Sequence, residues 1–255
     1  MTSARTHLIR LGAAVVASAS ILGVAAGSTG ASGHGGSNAA PATLDGMKAK
    51  ANADTTVRVG DLNTSIAKVN AAKDLGSDQA TLVTYLGTDI TPLQQLDQKI
   101  LGDTTKRQAA QDFSTIFTGY RVYVLVLPAS RIAADADRAT STAIPQLTAD
   151  AQRAQGLVNP QNQTQLQPLI DDPNAQIGSA TNATTGLAAT VLAFNPAQWN
   201  ANHDLLGASR STAQTADAAL RRGRTDVQQI RQVLKGSVAA GAGLRADPGT
   251  TTTTS

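Results

Sequence analysis

From Leu166 the chain places Ile170, Pro173, Ile177, Ala180, Thr184, Leu187, Val191 and Phe194 at steps that alternate four and three residues. A helix returns positions spaced in this way to one side, and the same rhythm generates a coiled-coil seam. The final segment repeats the pattern with smaller side chains: Leu205, Ser209, Thr212, Ala216, Leu220, Gly223, Val227, Ile230 and Leu234. Small seam residues let helix axes approach closely but bury less apolar surface, which returns only about 25 cal/mol per Å². The spacing therefore predicts slender, modestly stable helical packing.

Earlier stripes agree with it. Val59, Leu62, Ile66 and Val69 mark a helix expected from Thr43 to Leu75, ended by Gly76, after which Ser77 and Asp78 offer a new N-cap. Leu82, Leu86, Ile90, Leu93, Leu96 and Ile100 continue to Gly102, with Thr91-Pro92 either starting or kinking a helix. Asp103 is expected to cap the next helix, which buries Phe113, Ile116, Phe117 and Tyr120. A further helix from Ser130 uses Ile132, Ala136, Ala139, Ala143, Leu147, Ala151 and Ala154, and Gly156 with Asn159-Pro160 stops it. Asn195-Pro196 opens a loop carrying Trp199. With no fixed repeat and short connections, the expected fold is all-α: an elongated antiparallel helical bundle with coiled-coil-like packing over residues 42–236.

One stretch, YRVYVLVLPASR from Tyr120 to Arg131, stands out as apolar and β-branched. As a strand it has no second β-rich run to pair with. The uncharged run from Val122 to Leu127 is too short to span a bilayer. As a helix, Phe113, Ile116, Phe117, Tyr120, Val124 and Leu127 share a face, while Val122, Tyr123, Leu125 and Val126 make the remaining sides apolar as well. A helix apolar all round belongs in the middle of a bundle. The stretch is accordingly expected to be the most buried part of the domain, kinked or broken at Pro128, with a short extended linker as the alternative.

The N-terminus predicts location. Arg5 and Arg10 precede an apolar run from Leu11 to Val24, and Val24-Ala25-Ala26 supplies the small-x-small pattern of signal-peptide cleavage. An apolar core of about 14 residues is short for a span that needs roughly 20. Residues 1–26 are thus expected to be a secretory leader and 27–41 a flexible Gly/Ser spacer, with a disordered Thr-rich tail at 237–255. Loss of the leader removes Arg5 and Arg10 and no acid, taking the formal net charge from +3 to +1, so the charge gives no nucleic-acid signature. The absence of cysteine leaves packing to hold the chain together without disulfides.

Composition also narrows the chemistry. All 18 acidic residues are Asp, so Glu-based capping boxes and Glu-to-Lys pairs are unavailable. His203 is the one histidine outside the leader and spacer, and no zinc cluster or cysteine nucleophile can be assembled. A triad would have to combine His203 with Asp204 and Ser209 or Ser211, without a GxSxG motif. Asp135 and Asp137 fall on different sides of a helix, and Asp171-Asp172 before Pro173 reads as a turn or first-turn cap. No cofactor, metal or catalytic residue is therefore assigned. The candidate interaction surface comprises Trp199 and Phe194, as an aromatic platform or a hydrophobic plug, and Arg221, Arg222 and Arg224, as an anion-contacting cluster or a complement to the helix dipole.

The leader, the Ala/Thr/Asp-rich helical body around FSTIFTGYRVYVLVLP, and NPAQWNANHDLLGASR before a final helix together resemble a group of uncharacterised secreted helix-rich proteins of high-GC Gram-positive bacteria. That resemblance implies secretion and helicity and carries no functional residues. The expected function is a secreted or cell-envelope-associated structural or binding protein without catalytic activity. It would act on an unknown protein or cell-wall partner, or on itself, through helix faces. The main alternative is a membrane-active protein that inserts its 113–127 region; a wall hydrolase using Asp residues is a third. No nucleic-acid partner is expected.

Overall fold

The computed structural model describes residues 43–243, with side chains to residue 234. The expected leader and spacer, and the tail beyond residue 243, lie outside them. Among the described residues the protein is all-α, with no strand. Ten α-helices follow one another: α1 Leu44–Ala71, α2 Gln79–Gly87, α3 Ile90–Gly102, α4 Lys106–Thr118, α5 Leu127–Arg138, α6 Ile144–Gln155, α7 Gln163–Thr184, α8 Leu187–Leu192, α9 Pro196–Ala201 and α10 Gly207–Gly243. Thus α10 continues past residue 236, where the helical domain was expected to end.

The YRVYVLVLP stretch behaves differently from expectation. Helix α4 does not run on through Tyr120; it ends at Thr118, and Arg121 turns the chain in the left-handed region with φ 50°. A π-helical turn, Val122–Val126, then leads directly into α5. Pro128 breaks nothing, because the wider turn comes just before it. A proline lacks the N–H that would reach the carbonyl four residues back, and its ring crowds that carbonyl. Here the Leu127 N–H reaches back to the Val122 carbonyl, across a five-residue step that opens the turn ahead of the ring. The device recurs at Ala139–Ala143, where the Ile144 N–H reaches Ala139 ahead of Pro145. Helical backbone therefore continues from Val122 to Gln155. Leu125 is fully buried and Val122 and Val126 nearly so, but Tyr123 and Val124 are 37% and 41% exposed, so this segment is one-sided and not buried all round.

That rod touches four apolar clusters in turn. Val122 and Val126 join Met47, Leu62, Leu86, Leu93, Phe113 and Ile116, the core of α1–α4. Leu125 and the Ala129–Ala136 face meet Leu82, Val191, Trp199 and Leu206. Ala139, Ala143 and Leu147 pack with Ala180, Leu220 and Val227, and Ala154 packs with Leu166, Ile170 and Ile230. Residues early in α7 thus meet residues late in α10, and the order reverses along the pair, whose interface is the most extensive among the described residues. Gly223 lets this happen: a Cβ there would come within 2.6 Å of Leu147 Cδ2 and 3.3 Å of the Gln176 Cβ.

Several local expectations change in detail. The stripe from Leu166 to Phe194 is not one helix, because Gly186 adopts φ 70°, a conformation suited to glycine, and restarts the chain as α8. Leu82 to Ile100 divide between α2 and α3, and Thr91-Pro92 lies in the first turn of α3. Asp103 follows α3 as its C-terminal residue, while the Thr105 hydroxyl accepts from the Gln108 N–H to cap α4. Asp171 and Asp172 sit inside α7, which accommodates both Pro168 and Pro173. Trp199 lies in a short helix rather than a loop; Asn195 and Gln198 form its reciprocal capping box, with Gln replacing the missing Glu.

The turn between α1 and α2 is fastened to the rod. Asp137, buried on α5, accepts from the Gly76 N–H at 2.7 Å, and the Thr142 hydroxyl donates to the Asp74 carbonyl at 3.0 Å. A side chain at Gly76 would strike Ser141. The Gln79 amide donates to the Val69 carbonyl at 2.7 Å, satisfying one of the orphan groups where α1 ends.

Leu125→Ala should lower unfolding free energy in urea by about 2–5 kcal/mol, because it empties a fully buried site. Val124→Ala, one residue away on the exposed side, should change it by less than about 0.5 kcal/mol. Equal losses at both positions would contradict the one-sided burial of the π turn.

Candidate functional site

The aromatic pair singled out from sequence is not an exposed platform. Trp199 is buried against Val191, Leu206 and Ala213, Phe194 packs partly buried on the same cluster, and His203 lies 6.0 Å from the indole. These rings close the end of a core, where α8 packs on α5 and Trp199 joins the same apolar cluster.

The arginines do not form one patch either. Arg221 pairs with Asp217 on its own helix at 2.7 Å, and Arg222 crosses to Asp172 of α7 at 3.2 Å. Arg224 is half-buried. A helix advances 3.6 residues per turn, so Arg222 is directed away from the other two. A hydrogen bond from Gln176, aided by the Arg222 contact, holds the Asp172 carboxyl below its ordinary range.

A more selective arrangement lies between α1 and α3. A groove of about 430 Å³ is lined by Thr55, Thr56, Val59, Gln94, Asp97 and Gln98. Asp97 is 5% exposed and Thr55 2%. The Asn52 side-chain amide donates to Asp97 Oδ2 at 2.9 Å, but Asp97 Oδ1 and the Thr55 hydroxyl have no hydrogen-bond partner among the described residues. Thr55 departs from the habit of other helical threonines: Thr64, Thr84, Thr181, Thr190 and Thr212 each donate back to the carbonyl four residues earlier. Buried polar groups without partners are uncommon because leaving one unmade costs about 1–3 kcal/mol. Tyr85, Asp103 and Asp226 also hold buried oxygens without partners among the described residues, but Thr55 and Asp97 line one groove together and so can engage a bound polar molecule there.

Both residues carry a signal in the sequence, although neither was among the candidate residues expected from it. Thr55 occupies a core position in the buried series Ala51, Thr55, Arg58, Leu62, and Asp97 falls among Leu93, Leu96 and Ile100. A polar residue interrupting an apolar stripe marks such a place. Asp97 and Thr55 could be found that way, but their convergence required the α1–α3 packing.

Two polar features flank this region. Arg58 is buried with its guanidinium carbon 4.6 Å from the Phe117 ring and 5.1 Å from the Tyr123 ring, while Tyr123 donates to Asp61 Oδ2 at 2.8 Å. Burial, then the bond to Asp61, pushes the Tyr123 hydroxyl up to about 12. In the turn between α2 and α3, burial raises Asp89 to about 6. Burial followed by the nearby Asp89 charge raises Tyr85 to about 12 and raises Tyr120 in the same direction. No group of three or more His or Asp is placed to hold a metal ion among the described residues.

Comparison with protein-family models, with curated proteins and with solved structures found no match.

Asp89 makes a prediction about pH. Its carboxyl takes up a proton near pH 6 when folded but near 3.8 at its ordinary value, so the folded state binds more protons between these limits. This group's contribution to stability should grow as pH falls from above 6 toward 3.8. Asp89→Asn should flatten that part of the stability profile and raise the melting temperature at pH 7. Thermal unfolding of both proteins from pH 4 to 8 tests it, and an unchanged slope would contradict the burial of Asp89.

Proposed function

We propose that this chain is a secreted or cell-envelope-associated helical binding protein that acts without catalysis. Its helices are packed as an elongated antiparallel bundle with coiled-coil-like seams, an arrangement supported by the reversed order of contacts along α7 and α10. The observation that carries the binding role is the α1–α3 groove, where the Thr55 hydroxyl and Asp97 Oδ1 are buried without partners. Ligand sites commonly place a few such polar groups in a concave, partly apolar setting. The location rests on the Arg5 to Ala26 leader pattern and on the resemblance to secreted helix-rich proteins.

Membrane insertion of residues 113–127 has weaker support. The region is divided by the turn at Gly119–Arg121, its Phe113 and Leu125 are core residues, and no described helix is long and apolar enough to cross a membrane.

Two measurements test the proposal. Immunoblotting of fractions from the producing cells should find the protein in the medium or envelope, and retention in the cytoplasm would overturn the location. Titration of the isotope-labelled full chain with small amines, polyols and amides should shift the backbone amide resonances of Thr55, Gln94 and Asp97. Silence across that panel would reduce the groove to a hydration site.

A further inference from the structure

We infer that the α1–α3 groove selects a primary ammonium group, carried on a short alkyl stem, with Asp97 as its counter-ion. This deepens the proposed binding role and depends on it. The inference comes from the balance of charge and hydrogen bonding. Asp97 is buried at 5% exposure and forms no ion pair among the described residues. Cations on the two elements forming the groove are engaged elsewhere: Lys99 holds Asp112 at 2.7 Å, Lys50 holds Asp54 at 3.0 Å, and the buried Arg58 donates to the Asp54 carbonyl and stacks on Phe117 and Tyr123. Its one hydrogen bond, from Asn52 to Oδ2, comes from a neutral amide, and Oδ1 is left without a partner among the described residues. Buried carboxylates are ordinarily paired, so the missing component is a cation.

The remaining lining fits an ammonium better than a metal ion or a planar guanidinium. An ammonium presents three N–H donors in a tetrahedral spread. Asp97 Oδ1 and the Thr55 hydroxyl supply two acceptors, and Gln94 and Gln98, which line the same groove, each carry a side-chain carbonyl that can supply the third. A divalent ion would require more anionic oxygen than one carboxylate offers. A guanidinium would favour a carboxylate with both oxygens available, and Asn52 already engages Oδ2. Val59 gives an apolar wall for the stem, while Thr56, with the glutamines, can accept a polar group at its far end. At about 430 Å³ the groove is far larger than an ammonium ion and accommodates a short chain.

The test compares two probes of matched length, 4-aminobutan-1-ol and 1,4-butanediol, titrated into the isotope-labelled full chain at physiological salt. The amino alcohol should shift the Thr55, Asp97 and Gln98 amides saturably and bind at least about tenfold more tightly than the diol. Asp97→Asn should abolish that preference, since truncation of a buried charge partner typically weakens binding by tenfold or more. Thr55→Val, nearly isosteric, should weaken the amine while leaving the folded spectrum intact, and it stands in if Asp97→Asn unfolds. Equal binding of amine and diol would overturn ammonium selectivity while leaving a binding groove. Binding of neither, with a water bridging Thr55 and Asp97, would overturn both, and amine shifts dispersed over Asp54, Asp61 and Asp112 would show non-specific ionic attraction and likewise overturn the site.

Discussion

The architecture depends on one helical path staying unbroken across two prolines. Val122 to Gln155 is the segment that reaches all four apolar clusters, so it joins the α1–α4 core to the layers built from α7, α8 and α10. Pro128 and Pro145 would ordinarily kink such a segment. A π turn immediately before each one moves the obstructed carbonyl aside and leaves each proline in the first turn of the next α-helical piece. The two turns also change the facing of the rod. A π turn holds more residues than an α turn, which rotates everything after it relative to everything before it. One segment can thereby show Val122 and Val126 to the first core and Ala133 and Ala136 to the second.

Packing along the rod changes character from one end to the other. The α1–α4 core is built of Leu, Ile and Phe, with Met47 and Phe113 among its largest buried members. Toward α10 the contacts become Ala139, Ala143, Ala180, Ala219 and Gly223. Close approach of backbones replaces bulk there, and dispersion over many small contacts replaces the larger transfer free energy of Leu side chains. Cross-helix ion pairs, Arg222 with Asp172 and Arg231 with Asp150, sit at the solvated margin of this region, where such pairs fix register more than they add stability.

Much of this was legible in the sequence because apolar period reports helix faces directly. The Leu166, Ile170, Ala180 side of α7 and the Ala216, Leu220, Val227, Ile230 side of α10 are buried as their spacing requires. Places where the chain changes direction were less legible. Spacing from Phe113 to Leu127 continues unbroken in sequence although the helix stops at Thr118, because periodicity does not register a residue such as Arg121 in the left-handed region. The same blindness merged α7 with α8 across Gly186. For the groove, each polar interruption was visible in its own stripe, but only the pairing of α1 with α3 brings Thr55 and Asp97 to one cavity. Trp199 and Phe194 take the plug role, one of the two their sequence context allowed, while Arg221 and Arg222 enter separate ion pairs with Asp217 and Asp172.

The chain's lack of glutamate leaves its mark at the helix starts. Where side chains latch the first turn of α1, α4 and α9, the latching atoms belong to Thr43, Thr105 and Asn195, while Asp78 and Asp89 precede helices without serving in that way. None of those three fastenings carries a proton that acidification could add or remove. Acidification that would loosen a carboxylate-latched helix start leaves the Thr43, Thr105 and Asn195 caps without a group to protonate.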